Sequence, residues 1–134
     1  MNPVQRSAFD TEISSATVSI AEGNLISAFQ HLERAHVIGQ AHVVPHVITH
    51  WHMFKVALKQ RDLIAAWGQV VRIVLGALGS AVNVVPIGNT GGSNVSMFKR
   101  MPIEPEIRDI IEGRAPNHSL KPRGPAGSRP GPKR

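Results

Sequence analysis

The sequence predicts an all-α chain: two helical hairpins packed as a small bundle, followed by a glycine-rich loop, a short last helix and a polar tail. Three observations predict it. Apolar residues recur every three or four positions in four successive stretches, glycines or capping residues separate those stretches, and none alternates apolar with polar residues as a half-buried strand would.

The first helix covers about residues 7–21 and breaks at Gly23. Asn24 carries the short side-chain oxygen that accepts from unpaired first-turn N–H groups, so it caps a second helix reaching Ile38 and ended by Gly39. Pro45 opens a third helix, because its missing N–H would be unpaired in a first turn anyway; that helix runs to Lys59. Its core stripe is expected to be Val47, Trp51, Phe54 and Leu58, with His46, His50 and Met53 in the adjoining row and His52 on the opposite side with Ile48, Lys55 and Lys59. Asp62 caps a fourth helix to Val82. After Pro86 come the loop IGNTGGSN, an extended MFKRMPIEP segment and a helix from Pro105 to Glu112 stopped by Gly113.

Two of these stretches resemble each other. GNLISAFQHLERA from Gly23 and RDLIAAWGQVVRI from Arg61 align without gaps, matching Leu25 to Leu63, Ala28 to Ala66, Phe29 to Trp67 and Arg34 to Arg72. The small residue followed by an aromatic resembles the second helix of a tetratricopeptide hairpin, where the small side chain permits close helix approach. Such solenoids need at least about three repeats to bury their faces. Two copies imply stacked hairpins closing on themselves instead of an extended array.

With 134 residues, 42% of them hydrophobic, the chain is long enough for one core, placed in residues 1–112. The formal charge of +6 lies in the tail: residues 113–134 hold six basic groups and no acid, leaving nine of each in the body. A neutral body gives no reason to expect a specific nucleic-acid interface. The tail, GRAPNHSLKPRGPAGSRPGPKR, has too few apolar groups to offset the entropy of ordering and is expected to be disordered, attracting anions only in a salt-sensitive way. The absence of cysteine excludes disulfides, zinc fingers, iron-sulfur clusters and thiol nucleophiles, so any metal must be held by nitrogen and oxygen. The first twelve residues are charged where a secretory signal is apolar, and glycines, Asn83 and Pro86 interrupt the longest charge-free run, Ile73 to Phe98. A cytoplasmic chain without a membrane span is expected.

Six of the seven histidines fall between His31 and His52. His46 and His50 lie one turn apart on one face of the third helix, a spacing that lets two imidazoles reach one ion. The second helix adds Glu33 and His36, three residues apart, as in the Glu-x-x-His elements of di-iron bundles. Those bundles need a second such pair and further carboxylates, which this chain lacks. A single ion with three or four nitrogen ligands fits better: His36, His42 in the turn, His46 and His50, with Glu33 ligating or orienting an imidazole and His31 nearby. Imidazole suits zinc, nickel, cobalt and copper(II), zinc foremost. Each histidine taken singly reads equally as a structural residue beside the core, and clustered imidazoles also suit proton sensing near pH 6.5.

In the loop, Gly88, Asn89, Thr90, Gly91 and Gly92 offer backbone N–H groups and adjacent glycines able to form a concave anion site. Without a Walker lysine or a preceding strand, nucleotide hydrolysis is not supported. The plainer reading is a tight turn folding the next segment back over the bundle.

HLERAH at 31–36, GNTGG at 88–92 and the following VSMFKRMPIEPEI resemble an uncharacterised bacterial domain family of unknown function, over most of residues 10–112. The resemblance carries no established activity and implies a link to metal homeostasis. The expected function is therefore a small helical protein that binds a divalent transition metal through its histidines. The alternative is a tetratricopeptide-like module that binds a protein partner, with structural histidines; whether any reaction is catalysed stays open.

Overall fold

The computed structural model describes residues 1–81, 89–92 and 101–115, which form five helices and no strand. They are α1 (Pro3–Ala21), α2 (Leu25–Gly39), α3 (Val43–Lys59), α4 (Leu63–Ala81) and α5 (Pro105–Ile111). α1 and α2 form one hairpin and α3 and α4 a second, joined through α2 and α3; α5 closes against α1 and α2. The all-helical bundle of hairpins is the architecture expected. No described helix is long and apolar enough to cross a membrane. Residues 116–134, most of the stretch expected to be disordered, and Gly88 lie outside the described residues.

α1 begins at Pro3, earlier than the apolar spacing suggests, because Asn2 and Gln5 form a capping box: Gln5 N–H donates to Asn2 Oδ1 at 2.7 Å and Asn2 N–H to Gln5 Oε1 at 3.4 Å. Asn2 Nδ2 also donates to the Ile111 carbonyl at 3.0 Å, so one residue starts α1 and ties down the end of α5. Asn24 caps α2 as expected, its Oδ1 accepting from Ser27 N–H at 3.1 Å, and Asp62 caps α4 by accepting from Ala65 N–H at 2.8 Å. α3 starts at Val43, two residues before Pro45, since a proline is tolerated anywhere in a first turn whose N–H groups have no helical partner.

Two buried clusters make the core. Phe9, Ala35, Val37, Ile38, Ile107 and Ile110 join α1, α2 and α5, while Ala16, Ala28, Leu32, Met53 and Val56 join α1, α2 and α3. At the α2–α3 turn, a Cβ on Gly39 would lie 2.8 Å from Pro45 Cβ and 3.0 Å from the Phe9 ring, so only glycine lets the two helices meet there. Gln5 Nε2 donates to the Ile38 carbonyl at 2.7 Å beside it. On the other side of α2, Arg34 joins three helices, bonding to Glu12 at 2.7 Å, Glu104 at 3.2 Å and Glu106 at 3.4 Å.

The expected core stripe of α3 is overturned. Its buried residues are Pro45, His46, Thr49, His50, Met53, Val56 and Ala57, whereas Trp51 and Leu58 are exposed, Trp51 stacking on Phe54 at 5.4 Å. The histidine row faces inward because the imidazoles find partners there, and Thr49 is buried without penalty by donating to the Pro45 carbonyl at 2.9 Å. The internal likeness holds at Ala28 and Ala66, both buried, but not at the aromatic, where Phe29 is half-buried and Trp67 exposed.

Candidate metal centre

His36 reaches the bundle interior from α2, one turn after the buried Leu32; His46 and His50 reach it from α3, on the same row as Met53. All three are buried, and their rings form a triangle with centroids 4.7 to 4.8 Å apart. One ring nitrogen from each lies within 4.8 Å of the other two. Tetrahedral zinc–imidazole bonding needs nitrogens about 3.4 Å apart, so ring shifts under about 1 Å would close the site around an ion.

The partners of the three rings follow one rule. His36 Nδ1 lies 2.7 Å from the Asn89 carbonyl, His46 Nδ1 3.2 Å from the Gln40 carbonyl and His50 Nδ1 2.7 Å from Gln69 Oε1. A carbonyl oxygen only accepts, so each Nδ1 carries the proton and each Nε2 keeps its lone pair. The Gln69 amide is oriented by its other end, where Nε2 donates to the Gly91 carbonyl at 3.3 Å. Metal-binding histidines have this arrangement: the outer nitrogen donates to a fixed acceptor, which sets the tautomer and the ring angle.

Burial pushes all three imidazoles toward the neutral form that ligates. It is the main cause at His36, which is held well below its ordinary value, with His50, His46 and Arg72 adding unfavourable charge. His50 is pushed down to about 3 by burial and then His46 and Arg72, against the Gln69 bond, and burial lowers His46 as well. Among the described residues, His36 Nε2 is buried without a hydrogen-bond partner. An unsatisfied buried acceptor costs about 1–3 kcal/mol, which a cation among the three rings would remove.

The glycine-rich loop covers this cluster. Asn89 O holds His36, Gly91 O holds Gln69, and the loop is closed by Gly91 N–H donating to Asn89 Oδ1 at 2.9 Å. Gly91 has φ +77°, and a Cβ there would sit 2.8 Å from His36 Cδ2 and 3.0 Å from His36 Nε2. Asn89, Gly91 and Gly92 are buried, Thr90 partly so. Of the residues read as an anion cradle, Asn89 and Gly91 turn their carbonyls toward His36 and Gln69.

The other expected ligands fall elsewhere. His31 Nδ1 donates to Glu12 Oε2 at 2.7 Å on the α1–α2 surface. His42 forms the N-cap position of α3, half-buried, its pKa lowered by burial and then by the chain's N-terminal ammonium and Arg6. Neither joins the converging group found among the described residues. Glu33 is half-buried, its carboxyl pKa raised by burial with the Thr90 hydroxyl acting the other way, and it is not part of the converging group among the described residues. Gln69 and the carbonyls of Gln40 and Asn89 were not anticipated. A lone amide on the inner side of the otherwise apolar α4 was the available signal for Gln69; backbone carbonyls leave none.

No curated protein and no solved structure is significantly similar to the chain. A family model does match, described as Protein of unknown function (DUF3703), over residues 4–111. That span covers all five helices and the loop over the histidines, and on it the chain belongs to this family of unknown function.

Proposed function

We propose that the chain binds one divalent transition-metal ion through His36, His46 and His50, as part of metal homeostasis. The observation that carries the reading is the shared arrangement of the rings: every Nδ1 donates to a carbonyl oxygen, and the buried Nε2 of His36 has no hydrogen-bond partner. Zinc fits best, because it has no geometric preference of its own and accepts three imidazoles plus one further ligand; nickel, cobalt and copper(II) accept the same donors. Glu33, His31 and His42 are left out of the ligand set. Elemental analysis of protein purified without an affinity tag tests this. The expected result is close to one equivalent of metal per chain and a melting temperature lowered by chelator; a metal-free protein whose melt ignores both zinc and chelator overturns it.

A second reading, a tetratricopeptide-like interaction module with structural histidines, draws support from the exposed apolar side chains of α3 and α4. It predicts stability indifferent to chelation.

A further inference from the structure

α4 packs on α3 and on no other described helix. Its inner side holds Ala66 and Gln69, both buried. The outer side is an unbroken apolar stripe at helical spacing: Leu63 (72% exposed), Ile64 (88%) and Trp67 (67%), then Val71, Val74 and Leu75 further along. The five most exposed of these side chains leave roughly 700 Å² open to solvent, more than the few hundred Å² that monomers usually expose in one patch.

We infer that this stripe is a symmetric interface and that its occupant is a second copy of this chain. Pairing two stripes about a twofold axis would bury up to about 1,400 Å², inside the roughly 1,200–2,000 Å² of stable specific interfaces. No ionised group lies along the stripe to repel its own image, since Arg72, the one charge on α4, is half-buried to the side. Trp67, 67% exposed near the middle of the stripe, is the kind of aromatic anchor on which such interfaces centre. A membrane surface is the poorer match, because interfacial helices carry a polar face rich in lysine and arginine and α4 has a single arginine. The inference does not depend on metal, since α4 meets the histidine cluster through Gln69 on its buried side, away from the stripe.

Sedimentation of the full, tag-free chain between about 1 and 100 μM tests it, with circular dichroism as the check on folding. Wild type is expected at twice the chain mass. Trp67→Glu and Ile64→Glu are each expected to weaken association by at least about tenfold, while Val18→Glu, an exposed position on α1, leaves it unchanged. Because the chain has no cysteine, Ile64→Cys provides a variant that keeps an apolar side chain: a thiol-specific cross-linker about 15 Å long should link it into dimers, and Val18→Cys should not link. A wild-type chain that stays at single mass up to about 100 μM, whether free or bound to phosphatidylserine vesicles, overturns the inference. So does a dimer indifferent to both glutamate substitutions and to the position of the cysteine.

Discussion

Gly91 rests on the imidazole of His36 so closely that the smallest side chain would collide with it: an added Cβ would lie 2.8 Å from Cδ2 and 2.9 Å from Cγ. Its backbone is also in the left-handed region, at φ +77°, where an L side chain is disfavoured. A loop residue and a helix residue separated by 55 positions are thus fitted to each other, and the fit fixes where the His36 ring can stand.

Gly91→Ala should therefore act on the site as well as on the fold. Overpacking and backbone strain together cost about 2–4 kcal/mol, measured as a lower urea midpoint at unchanged slope. Zinc affinity should fall by at least about tenfold, because the displaced ring carries a ligand away from the other two.

Gln69→Leu keeps the volume of the side chain and removes its bonds to His50 and Gly91, leaving His50 Nδ1 without its acceptor and the Gly91 carbonyl without this donor. The expected loss is about 2–4 kcal/mol in the metal-free chain and about 10–100-fold in metal affinity. Unchanged affinity would mean that the amide does not set the His50 ring.

The histidines should divide into two groups. Substituting His36, His46 or His50 by glutamine should abolish tight metal binding, whereas His31→Ala and His42→Ala should shift affinity by less than about threefold, being outside the converging group. Competition with a chromogenic chelator reads both groups on one scale.

Without metal, stability should fall as pH drops below about 6.5. His36, His46 and His50 all have folded-state values below 6.5, His50 at about 3, so the unfolded chain binds more protons throughout the interval below 6.5. Their stabilising contribution is complete above 6.5 and is lost progressively toward the folded values. Three such groups give a loss of up to about 4 kcal/mol between pH 7.5 and 5.5, observable in urea melts. A flat profile would show that the rings are open to protons in the folded chain.

The helices were legible because local rules set them: Asn24 and Asp62 are caps whatever surrounds them, and Gly23 turns the first hairpin. The pairing of His46 with His50 followed from helical spacing alone. What spacing does not give is which row of an amphipathic helix turns inward. Trp51 and Leu58 outrank histidine in hydropathy, yet the neutral imidazoles of His46 and His50, with carbonyl partners, are buried in their place. The loop misled for a related reason: its glycines announce an unusual backbone, but whether N–H or carbonyl groups face the site depends on a tertiary contact. Likewise, His42 lies close to the cluster in sequence but outside the converging group, its pKa lowered by burial and then by the N-terminal ammonium and Arg6.

Calorimetric titration of zinc into chelator-treated, tag-free protein tests the central claim most directly. The account predicts one ion per chain at micromolar affinity or tighter, lost in His36→Gln and His50→Gln. Millimolar affinity shared equally by wild type and both variants would contradict it, and would leave the three imidazoles as core residues satisfied by their carbonyl partners.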